Sequence, residues 1–75
     1  MQTDTLLRMA NQIGAFFEPM PDRDEALRDI GTHLKKFWTP AMRQALLAHL
    51  DAQAGQGLSA IVVTAITRHR TLLQG

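Results

Sequence analysis

Three breaks divide an otherwise helix-patterned chain, and they constrain the fold more than any other feature. Pro19-Met20-Pro21, Thr39-Pro40 and Gly55-Gln56-Gly57 separate four runs in which apolar residues recur at three- and four-residue spacing. Proline pushes the residue before it out of helical geometry, and glycine permits left-handed backbone. The pattern predicts an all-α fold: a small compact bundle of about four short helices, orthogonal or up-down, forming a single domain over residues 1–75. An extended pair of hairpins that closes only on a partner is the competing architecture. A chain of 75 residues has room for only a thin core, and size scaling gives it a folded surface of about 4,600 Å².

The first helix is expected over Asp4 to Glu18, capped by Thr3 or Asp4. Leu6, Ala10, Ile13 and Phe17 form its stripe, widened by Met9 and Phe16. Gly14 inside this stripe costs about 1 kcal/mol relative to alanine, so a close helix crossing is expected there. The second helix opens at Asp22, with Glu25 at capping-box spacing and Lys35 and Lys36 where the helix dipole favours cations. Leu27, Ile30, Leu34 and Phe37 make its inner stripe, with Ala26 and Trp38 beside it. Thr39 caps the third helix, Pro40 fits its first turn, and Met42, Leu46 and Leu50 face inward. Ser59 caps the fourth. Leu58 and Val63 stand at staple spacing around that cap, while Ile61, Val62, Ala65, Ile66 and His69 supply a face. The isoleucines and valines here do not alternate with polar residues, which favours helix over strand. Leu72, Leu73 and Gly75 are expected to fray unless a partner holds them.

Composition removes several classes of chemistry. Cysteine is absent, which excludes disulfides, thiolate metal sites, cysteine-ligated clusters and thiol catalysis. His33, His49 and His69 lie on three different helices and match no metal-binding spacing. The carboxylates suit helix starts and solvated faces, and Ser59 suits a cap, so no catalytic residue, metal ligand or bound cofactor is assigned. Gly55-Gln56-Gly57 lacks the lysine and longer glycine pattern of a phosphate loop. The formal net charge is +1, and Lys35, Lys36, Arg43, Arg68 and Arg70 form no cluster on one recognition helix, which argues against nucleic-acid binding. Met1-Gln2-Thr3-Asp4 does not read as a secretory signal. The longest apolar stretch, Ala60 to Val63, is too short for a membrane span, so a soluble protein is expected. Phe16, Phe17, Phe37 and Trp38 remain as groups costly to expose and useful in a protein interface.

Two blocks carry a family resemblance. Leu7-Arg8-Met9-Ala10-Asn11-Gln12-Ile13-Gly14-Ala15-Phe16-Phe17 resembles the opening of the delta subunit of soluble, NAD-dependent, molybdenum-containing formate dehydrogenases. His33-Leu34-Lys35-Lys36-Phe37-Trp38-Thr39-Pro40-Ala41-Met42-Arg43 resembles the central signature of the same family, a basic pair and an aromatic pair leading into proline and then Met-Arg. The similarity extends over at least Leu6 to Ile66. It implies a non-catalytic, cytoplasmic accessory subunit that binds the large molybdenum-containing subunit and supports assembly, stability or activity, while other subunits hold the molybdenum cofactor, clusters and flavin. A transient maturation factor for cofactor insertion is the alternative. Arg8, Asn11, Gln12, His33, Lys35, Lys36, Trp38 and Arg43 are the expected partner-interface residues, and Pro40 is expected to be architectural.

Overall fold

In a computed structural model, which describes residues 2–74, five helices follow in order: α1 (Thr3–Phe17), α2 (Arg23–Phe37), α3 (Pro40–Gln53), α4 (Ala60–Arg68) and α5 (Arg70–Gln74). No strand occurs among the described residues. The aromatic ring of Phe17, at the end of α1, lies 6.4 Å from the His33 ring, well past the middle of α2. The end of α1 therefore meets the second half of α2 and not its beginning. The radius of gyration is 11.0 Å, close to the ~11 Å that size scaling gives a folded chain of this length. Accessible surface is 4507 Å². Both values describe a closed bundle and exclude the extended hairpins.

Local chemistry sets most helix boundaries. The Asp22 carboxylate accepts from the Glu25 backbone N–H at 3.2 Å, and Thr39 Oγ1 accepts from Met42 N–H at 3.2 Å. Pro40 occupies the first turn of α3. That helix ends on three left-handed residues, Ala54 (φ 54°), Gly55 (φ 75°) and Gly57 (φ 90°); the alanine joins the glycines expected there.

Two caps differ from expectation. Helix α1 begins one residue earlier, with Gln2 as its N-cap and no side-chain cap bond, so Thr3 lies inside the helix. Ser59 caps α4 without a side-chain bond: its Oγ is buried without a partner, while its backbone N–H donates to Asn11 Oδ1 at 2.9 Å.

Leu6, Ala10, Leu27, Ile30, Leu34, Leu46, Ile61, Val62, Ala65 and Ile66 fill the core. A Cβ on Gly14 would stand 2.6 Å from Val62 Cγ2, closer than packed carbon atoms tolerate. The missing side chain allows α1 and α4 to cross, as the sequence predicts. No helix among the described residues is long and apolar enough to cross a membrane.

Two further expectations are corrected. Phe37 is 70% exposed, and Trp38 is 5% exposed. Helix α2 ends at Phe37, and the chain enters extended backbone at Trp38 (φ −92°, ψ 144°), which turns the indole instead of the phenyl ring inward. Leu73 does not fray: after a joint at His69 the chain forms α5 and Leu73 is buried at 2% exposure. Gly75 lies outside the described residues.

Candidate partner-binding groove

Beside the contact of α1 with α2 lies an open groove of about 480 Å³. Met9, Gln12, Ile13, Phe16 and Phe17 line it from α1, His33 and Phe37 from α2, Trp38 from the α2–α3 joint and Met42 from the first turn of α3. Its walls are apolar apart from the Gln12 amide and the His33 imidazole. Phe16 packs edge-on against Phe17 at 5.0 Å, and His33 bridges Phe17 at 6.4 Å and Phe37 at 4.7 Å. Four rings thus form a row across the two helices, with an exposed phenylalanine at each end. Phe16 is 77% exposed. Large, contiguous apolar surface of this kind marks an interaction site more often than a solvated face.

Arg43 holds the backbone of the groove-lining Trp38. Its guanidinium is buried, and it donates to the carbonyls of Trp38, Lys35 at 3.1 Å and Leu73 at 3.4 Å. A rigid fork of donors reaching three acceptors is what arginine offers and lysine lacks. The last turn of α2, the α2–α3 joint and α5 are tied together at one point.

The eight residues singled out in the sequence fall into distinct places. Gln12, His33 and Trp38 line the groove. Arg8 and Lys36 are exposed; helical spacing places Arg8 one turn before Gln12, and Lys36 lies next to Phe37 in sequence. Arg43 is buried and does not line the groove, and the half-buried Lys35 gives it a carbonyl. Asn11 faces the α3–α4 turn, where its amide donates to Gly57 O at 2.9 Å and its carbonyl accepts from Ser59 N–H at 2.9 Å. It reads a backbone, as its type suggests, but the backbone belongs to its own chain. Phe16 and Phe37, outside these eight but already marked by type as useful in an interface, complete the groove. Their signal was present: Phe37 is the last residue before a proline-marked joint, where a helical stripe ceases to predict burial.

Several other polar groups make contacts within the chain. Arg68 pairs with Asp24 at 2.7 Å. Arg70 grips both oxygens of Asp51, at 3.0 and 2.6 Å, a hydrogen-bonded pairing that raises the guanidinium above its ordinary pKa. His49 meets Gln56 O at 2.6 Å, and His69 packs beside Gly31. Among the described residues no three histidine, aspartate or glutamate side chains gather to hold a metal ion.

Comparison with known proteins gives a family but no relative of solved structure. No curated protein matches the chain, and no solved structure does. The sequence model of the family described as NADH-dependent formate dehydrogenase delta subunit FdsD matches residues 5–66, a span that includes every residue lining the groove. The chain belongs to the FdsD family of formate dehydrogenase delta subunits.

Proposed function

We propose that this chain is a non-catalytic accessory subunit that docks on the large molybdenum-containing subunit of a cytoplasmic formate dehydrogenase, and that the α1–α2 groove is its docking face. The observation that carries this reading is the pair of exposed phenylalanines, Phe16 and Phe37, flanking an apolar groove whose Trp38 backbone is held by Arg43. Aromatic anchors in well-packed surroundings contribute most of the free energy in protein interfaces. A lining residue already held in place limits the ordering cost of association. Binding to the folded partner stabilises that partner by mass action, which is how a small subunit without chemistry of its own supports assembly or activity.

The test is the stoichiometry of this chain in purified, active formate dehydrogenase after a high-salt wash. About one copy per large subunit is the expected result. Capture of only cofactor-poor, inactive enzyme would indicate a transient maturation factor instead, and absence of the large subunit from the captured complex would overturn the docking assignment.

A further inference from the structure

We infer that α5 and the groove are coupled through Arg43: seating of α5 holds Trp38 in its place in the groove wall, and release of α5 loosens that wall while the rest of the bundle stays folded. The coupling is a property of the free chain, and its regulatory consequence rests on the docking role proposed above.

Helix α5 is seated as a separate piece. Its five residues are too few to hold a helix alone, and the turn at His69 (φ −108°, ψ 28°) breaks it from α4. Two side chains fasten it. Leu73 is buried, and Arg70 pairs with Asp51 of α3 at the surface, where such a pair holds weakly. A Cβ on Gly31 would stand 3.2 Å from His69 Cβ, so bare backbone of α2 makes room for the joint. His69 Nε2 is buried there without a hydrogen-bond partner, a cost of the seated state that opening to water removes.

The link to the groove is one side chain. Arg43 Nε donates to Leu73 O at 3.4 Å, and Nη1 of the same rigid plane donates to Trp38 O and Lys35 O. The last carbonyls of a helix lack donors within it, so Arg43 supplies this end of α2 from outside. The direction of the Trp38 carbonyl follows ψ of that residue, 144°, one of the two dihedrals that turn the indole inward. When Leu73 O leaves, the buried cation loses an acceptor and turns toward another. A planar fork cannot do so and keep its hold on Trp38 and Lys35 unchanged. Coupling of this kind is reciprocal: an occupant that immobilises Trp38 also holds α5 in its seat.

The test reads both ends of the link in the full-length chain. Leu73→Ala is expected to speed amide exchange in α5 about tenfold and to raise acrylamide quenching of Trp38 about twofold, with the helical circular dichroism spectrum retained. Arg70→Ala, which leaves the core intact, is expected to move both readouts in the same direction by less, and it carries the test where Leu73→Ala does not fold. Val62→Ala is the control: it removes core packing where α4 meets Gly14 and is expected to leave Trp38 quenching unchanged. Faster exchange in α5 with unchanged quenching of Trp38 overturns the coupling. Unaltered α5 exchange in both variants, or equal quenching in Val62→Ala, overturns it as well. Affinity of Leu73→Ala for the large dehydrogenase subunit is expected to fall about threefold. A Trp38 response without a change in that affinity keeps the coupling and removes the groove from the docking role.

Discussion

Arg43 Nε donates to the carbonyl of Leu73 across thirty residues of sequence, joining the first turn of α3 to the last helix of the chain. The same guanidinium holds the carbonyls of Trp38 and Lys35. Removing it leaves buried acceptors without donors, which costs about 1–3 kcal/mol for each such group. Arg43→Ala is expected to lower stability by about 3 kcal/mol, or more than about 10 °C in Tm for a domain of this size. Arg43→Lys is expected to restore less than half of the loss. Thermal melts followed by circular dichroism decide it, and a shift of only a degree or two would show that the carbonyls find water instead.

Leu73 gives a related prediction. Leu73→Ala removes a side chain packed in the core and is expected to cost about 2–4 kcal/mol, whereas the exposed neighbour Leu72→Ala is expected to stay within about 1 kcal/mol. Equal, small effects in urea titrations would mean that α5 contributes little to the folded state.

Gly14→Ala separates helix propensity from packing. The substitution favours the helix by about 1 kcal/mol, yet its Cβ meets Val62 Cγ2 at 2.6 Å. Val62 is stiff at χ1 and fully buried, so overpacking of about 1–3 kcal/mol is expected to win. Pairing it with Val62→Ala is expected to return part of the loss, a coupling that a double-mutant cycle measures. Additive costs would place the strain elsewhere.

Asn11 divides its two bonds between two variants. Asn11→Ala loses both and is expected to destabilise the chain by about 1–3 kcal/mol. Asn11→Asp keeps an acceptor for Ser59 N–H while losing the donor to Gly57 O. Hydrogen exchange at the Ser59 amide is therefore expected to accelerate in Asn11→Ala and to remain slow in Asn11→Asp; identical exchange in both would remove Asn11 from the role of tether.

Phe16→Ser and Phe37→Ser probe the docking face without touching the core. Each ring is largely exposed, so the isolated chain is expected to melt within a few degrees of the parent. Affinity for the large subunit, measured by calorimetry, is expected to fall at least tenfold for each, about 1.4 kcal/mol or more. Unchanged affinity for both would move the interface to another face.

Much of this fold was legible because local signals agreed with one another. Asp22 and Thr39 cap the helices they announce, Pro40 opens α3, and the Gly55-Gln56-Gly57 turn closes it. Gly14 marked a crossing before its partner was known. What periodicity could not supply was the direction of side chains at helix ends. A stripe that includes Leu27, Ile30 and Leu34 projects onto Phe37, but the helix stops there, and the backbone dihedrals of the next residue determine which ring turns inward. Arg43 and Asn11 were recognisable as directed hydrogen-bonding groups, while the identity of their acceptors depended on contacts 30 and 46 residues distant. The same limit applied to Leu73, whose burial depends on helices far earlier in the chain.

Trp38 is the single tryptophan, and the chain has no tyrosine. Its indole is part of the groove lining, so nearly all intrinsic near-ultraviolet emission originates at the floor of the docking face. The chain carries its own optical probe there. Unfolding exposes the indole to water and shifts its emission to the red, whereas an occupant that excludes water shifts it to the blue or changes its intensity. A synthetic peptide without tryptophan can thus be titrated against the unlabelled chain, with the sign of the spectral change separating occupancy from loss of structure.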